Sequence, residues 1–188
     1  MRICGRLLLI GISLATLVNF RYSVAQPVDH LDASERQVKA AYLSKFGGYV
    51  EWPDQTFANS ETSLKIGVIG ADALADELSQ MVAGRTINER TVIVRKLRID
   101  DAVADINVLF VGSSVHNRLT EILTTAKALH ILTITESEEA FALGSMINFV
   151  VVGGKVRFEV APKSARPANL TISARLLAAA YKVAAGGS

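Results

Sequence analysis

His30, His116 and His130 are the side chains best suited to hold a transition metal, but their spacing argues against it. None lies three or four residues from another, no H-E-x-x-H pair occurs, and Cys4 is the only cysteine. Each histidine reads as polar filler at a surface or helix end, so no metal site and no cofactor are expected. Nucleophilic chemistry fares no better. There is no G-x-S-x-G elbow and no S-x-x-K with its usual partners. Ser113 and Ser114 sit near His116, where a strand gives way to a helix. Capping that helix is the economical role for them, because nothing nearby specifies an activated nucleophile.

Phosphate binding would use the strand–helix turn at Gly67-Val68-Ile69-Gly70, since free N–H groups at a helix start favour anions. The full G-x-G-x-x-G fingerprint is missing and no acid completes a ribose site, so a tight structural turn is the simpler reading. If a small molecule binds, it should do so at the carboxyl ends of the strands: Gly70, Ser113, Ser114 and Glu136. For protein recognition, Trp52 and Phe57 flank the break at Pro53, where large aromatics either plug the end of a core or anchor a partner. Arg157, Glu159, Arg166 and Arg175 gather around the C-terminal hairpin and helix and are the charged contact candidates. Their default role is solvated charge, as it is for Glu136, Glu138 and Glu139 at a helix start. No catalytic residue emerges, and the chain is not read as an enzyme.

The elements that must position these residues begin after a leader. Arg2 and Arg6 precede an apolar run from Leu7 to Val18, and Ser23-Val24-Ala25 supplies small residues for cleavage. That run is shorter than the roughly 20 residues a bilayer span needs. Residues 1–25 are therefore expected to be a signal peptide, so that the mature chain is exported. Cleavage would remove Arg2, Arg6 and Arg21 and no acid, leaving 17 basic residues against 18 acidic ones. No Lys/Arg cluster remains to follow a phosphate backbone, so nucleic acid is not an expected partner. The single cysteine would leave too, so an apolar core must hold the fold without disulfides.

The remaining 163 residues suit one domain. Half of the composition is apolar but only 6% aromatic, the palette of buried parallel strands covered by helices. Residues 26–37 read as a lead and 38–185 as the domain. From an N-cap at Ser34, Val38, Tyr42, Phe46 and Tyr49 form a helical stripe that Pro53 ends. Strands are expected at Leu64–Ile69, Thr91–Val94, Asn107–Val111 and Ile131–Thr135. Helices follow at Asp72–Val82, around Leu119–Leu123 and over Glu136–Leu143. Met146–Val152 and Val156–Val160 flank Gly153-Gly154, a two-residue hairpin turn. A last helix is expected from Ile172 to Val183. Strands alternating with helices predict an α/β fold: one largely parallel sheet flanked by helices, with a C-terminal antiparallel hairpin.

Several segments in order resemble the YfiR family. They are Ala41-Tyr42-Leu43-Ser44-Lys45-Phe46 with Tyr49-Val50-Glu51-Trp52-Pro53, then Ile66–Gly70, Leu109-Phe110-Val111 and Ile131–Ile134. Phe141–Phe149, Val156–Val160 and Leu170–Leu177 complete the set, which spans nearly all of 38–183. The chain departs from some relatives in lacking a cysteine pair after the leader, and Leu143-Gly144 stands where Gly-Gly is often seen. The resemblance implies a periplasmic negative regulator of cyclic-di-GMP signalling and biofilm formation. Such a protein forms a homodimer and represses an inner-membrane diguanylate cyclase, or a sensor kinase, through its periplasmic sensor domain. Capture of the regulator by an outer-membrane lipoprotein would release the cyclase. The alternative is a periplasmic small-ligand sensor using the crevice at the strand ends.

Overall fold

The computed structural model describes residues 28–57, 63–115 and 117–184. The expected signal peptide and its cleavage site, and His116, lie outside the described residues.

Helix α1 (Val28–Phe46) runs through a short 3-10 turn into β1 (Val50–Glu51). The expected lead is thus helical from Val28, and Ser34 is an interior residue rather than a cap. The turn upstream of Val38 is supported by the i, i+4 ion pair of Glu35 with Lys39. Next come β2 (Leu64–Ile69), α2 (Asp72–Val82), β3 (Thr86–Ile87), β4 (Arg90–Leu97) and β5 (Val108–Val111). The chain continues through α3 (Leu119–Ala128), β6 (Leu132–Thr135), α4 (Glu138–Ala142), β7 (Ile147–Val152) and β8 (Lys155–Val160). It closes with α5 (Pro162–Ala165), β9 (Thr171–Ile172), α6 (Ala174–Ala179) and β10 (Lys182–Val183).

The main sheet has the order β10-β8-β7-β6-β5-β2-β4-β3. Its central run β7-β6-β5-β2-β4 is parallel; β8 is antiparallel to β7, and β3 to β4. This is the α/β architecture the alternating pattern predicts. At the expected hairpin, Gly153 and Gly154 adopt φ 57° and 71°, the left-handed values a two-residue turn requires. The last helix is shorter than its pattern. Ser173 caps α6 by accepting the Leu176 N–H, and the chain turns extended at Ala180 (ψ 141°). Lys182 and Val183 then pair in parallel with Glu159 and Val160, so Tyr181 is 57% exposed instead of lying on an apolar helix face.

Side-chain alternation along the strands divides the core between the two faces of the sheet. One face carries Ile66, Val68, Phe110, Leu132, Ile134, Phe149 and Phe158, covered by Leu43 and Phe46 of α1 and Leu78 of α2. Tyr42 and Phe46 stack there with ring centroids 5.9 Å apart, and both meet Phe158 edge to face at 5.1 Å. The opposite face carries Ile69, Leu109 and Val111 under Leu119, Ile122 and Leu123 of α3. Gly67 lies inside β2, not in a phosphate-binding turn. A Cβ there would come within 2.7 Å of Leu97 and 3.2 Å of Ile106, so glycine lets the segment after β4 close over this face. A small antiparallel sheet, β1 with β9, sits apart from the main one and pairs Val50 with Ile172.

Candidate functional site

Parallel neighbours place their carboxyl ends together, and the chain leaves β2 for β4 on one side while β5 lies on the other. At that switch point the structure assembles Gly70, Ser113, Ser114 and Glu136. Gly70 turns out of β2 with φ 71°, and a Cβ on Gly112 would stand 2.6 Å from Gly70 O. The two turns therefore pack backbone to backbone. Ser114 Oγ donates to Gly70 O at 3.1 Å. Neither serine caps α3, because the helix begins only at Leu119, with Arg118 at the N-cap position and no side-chain cap bond.

Glu136 is not the solvated helix residue its neighbours suggest. Ser137 is the cap of α4, its Oγ accepting the Ala140 N–H, which leaves Glu136 outside the helix and facing the crevice. One carboxylate oxygen accepts the Ser113 N–H at 2.9 Å, and the other accepts from Lys39 Nζ at 2.6 Å. Lys39 also meets Glu35 at 2.5 Å, and its side chain is only 13% exposed. Burial pulls the Lys39 pKa down, but the hydrogen bonds and charges of Glu136 and Glu35 outweigh it, and the value rises above 10.5. Beside this chain of contacts is a cavity of about 300 Å³ lined by Glu35, Arg36, Lys39, Asp72, Leu74 and Glu136. The N–H and ammonium that would attract an anion already hold the protein's own carboxylate. The arrangement latches α1 to the carboxyl end of the sheet. Among the described residues no group of His, Cys, Asp and Glu is placed to hold a metal.

The six candidate partner contacts do not form one surface. Trp52 and Phe57 meet edge to face at 5.6 Å, and the Arg90 guanidinium lies 4.3 Å over the Phe57 ring. Both rings are half-buried against the core and line a notch of about 450 Å³ with Ile87, Asn88 and Arg90. Trp52 Nε1 is buried there and has no hydrogen-bond partner, alone in this among the side-chain polar atoms of the described residues. Arg157 and Glu159 are on β8, where Glu159 pairs with Lys182 at 3.6 Å. Five strand steps separate β8 from β4, about 24 Å at the usual spacing. Arg166 is exposed at the end of α5, and Arg175 is exposed in the first turn of α6.

Lys39, Glu35 and the β3–β4 hairpin escaped the sequence reading. The spacing of Glu35 and Lys39 is that of a helical ion pair and signalled half of the latch. Its other half joins residues 97 positions apart and left no local trace.

A family model described as YfiR/HmsC-like matches residues 36–181. No curated protein matches the chain. Among solved structures, a conserved domain protein of Vibrio cholerae aligns at TM-score 0.55 with 12% identity, covering 79% of this chain and 60% of that one. An ABC domain from Streptococcus pneumoniae, solved with L-Trp, aligns at TM-score 0.51 with 10% identity, over 80% of this chain and 60% of that one. This chain thus covers about three fifths of the length of each, and at such identities the likeness concerns the fold.

Proposed function

The chain belongs to the YfiR/HmsC-like family, and from that premise we propose that it represses a membrane-bound diguanylate cyclase by binding the cyclase's periplasmic sensor domain. The family is one of periplasmic regulators of diguanylate cyclase signalling, and the match over residues 36–181 is the observation that carries the reading. Among the described residues no helix is long and apolar enough to cross a membrane.

Repression works here by population shift. The regulator binds the inactive arrangement of the sensor more tightly than the active one. Moving such an equilibrium from 1:99 to 99:1 takes a preference of about 10⁴-fold, roughly 5.5 kcal/mol. Capture by an outer-membrane lipoprotein removes the bias by lowering the free concentration of regulator. Homodimerisation would present two copies of each contact surface. The contacts fall in two groups: Trp52 and Phe57 at one margin of the sheet, and Arg157 and Glu159 at the other. Arg166 and Arg175 lie on the connections around β9. Small-molecule capture at the strand ends is disfavoured by Glu136, which fills that position itself.

The test is deletion of the gene with measurement of cellular cyclic-di-GMP. The level should rise several-fold and return to normal on complementation. An unchanged level in both strains refutes repression.

A further inference from the structure

Among the described residues, the β4 margin of the sheet has a strand partner only at its start, although α2 packs against one face of β4. β3 pairs only Thr86 with Thr91 and Ile87 with Arg90. From Val92 to Leu97, β4 has β2 on one side and, among the described residues, no strand on the other. The Val92 N–H reaches Arg85 O at 3.3 Å, on the side away from β2. Successive backbone groups of a strand turn to opposite edges, so the amides and carbonyls of Val94 and Lys96 face the same open side. Ile93 is 42% exposed beside exposed Thr91 and Arg95. This is a sheet edge with an apolar contact already in place.

The charge on this edge says what it accepts. Arg95 and Lys96 lie on it, and Glu89 is the only acid between Thr86 and Arg98. Arg90 is engaged over the Phe57 ring, and Arg98, just past the strand, is held by Asp101 at 3.3 Å. Arg95 and Lys96 meet Asp105 and Asp76 in exposed ion pairs at 3.9 and 2.7 Å, contacts that contribute little and exchange readily. A second copy of β4 laid on this edge would set Arg95 and Lys96 against like charges, the device by which natural edges resist self-pairing. An acidic strand would meet complementary charge and two unpaired residues of backbone.

The geometry points to β4 as the docking edge for an extended, acidic segment of the regulated partner, which adds a strand beyond Val94–Lys96 and packs an apolar side chain on Ile93. This inference rests on the partner-binding reading above. It is tested with the full mature chain. A deletion strain is complemented with wild type or with Arg95→Glu/Lys96→Glu. Each protein is also titrated against the periplasmic domain of the cyclase that the deletion releases. The doubly reversed chain should keep the wild-type unfolding temperature within a few degrees, bind at least tenfold more weakly and fail to repress. In the wild type, exchange of the Val94 and Lys96 amides should slow at least tenfold when the domain is bound. A rise on deletion with full repression by the doubly reversed chain overturns the docking edge alone, as do unslowed amides. An unchanged cyclic-di-GMP level on deletion overturns the regulatory reading and this inference together.

Discussion

Replacing Glu136 with glutamine tests whether the crevice is held shut by charge. The side chain keeps its size and one carbonyl oxygen, so the Ser113 N–H can still be satisfied. The amide then turns its NH₂ toward the Lys39 ammonium, setting donor against donor where a 2.6 Å ion pair stood. Removing one partner of a buried pair costs about 3–5 kcal/mol, and a hydrogen bond to a charged group contributes about 1.5–3. Lys39 retains Glu35, and the site is open on one side, so the loss should be about 2 kcal/mol. For a domain of this size that corresponds to roughly 4–8 °C in Tm. Urea denaturation at fixed pH is the assay. The Lys39 pKa is raised in the folded chain, so its stabilisation is complete below the unfolded value of 10.5 and fades as pH climbs through the folded one. The gap between wild type and Glu136→Gln should therefore be flat from pH 7 to 9 and close only above about 10.5. A loss below about 0.5 kcal/mol at pH 7 refutes the latch. So does a gap that narrows between pH 7 and 9.

Other substitutions probe the frame around that site. Glu136→Ala should expose the Ser113 N–H and Lys39 to solvent, and inorganic phosphate should then raise the Tm of the variant more than that of wild type. Gly112→Ala should cost at least about 2 kcal/mol in denaturation, because the added Cβ meets the carbonyl of Gly70 at 2.6 Å and backbone cannot give way cheaply. Phe110→Ala, at a fully buried position in the middle of the sheet, should lose about 3–5 kcal/mol by the same measurement. Glu89→Gly should gain up to about 1 kcal/mol, since Glu89 holds φ 66° in the β3–β4 turn, where an L side chain is strained.

Local signals carried far here, and then stopped. The Gly153-Gly154 turn fixed the β7–β8 hairpin because a two-residue turn also sets register. The runs at Leu64–Ile69 and Asn107–Val111 read as strands because both faces of the sheet are covered and the apolar run is continuous. Strand order was not legible, as Val, Ile and Leu runs are interchangeable until they pair. The final helix failed for a related reason. Leu176, Leu177 and Tyr181 fit a helical stripe, but Tyr181 N–H donates to Phe158 O across the sheet, and that distant partner decides where α6 stops. Gly70, Ser113, Ser114 and Glu136 converge because strands β2, β5 and β6 are adjacent and parallel, a rule that sequence alternation can supply. The arrival of Lys39 depends on how α1 lies across the sheet, which is a packing outcome. Contact candidates at Trp52 and at Arg157 were separated by the same sheet order that the sequence did not reveal.

Trp52 is the sole tryptophan of the chain. Its indole stands in a half-buried notch with an unbonded N–H, close to Phe57 and to the margin where β3 meets β4. Excitation at wavelengths beyond the tyrosine absorption band therefore reads out a single place in the molecule. Its emission wavelength reports the polarity around that one ring, so a change at this margin can be followed in real time without attaching a dye.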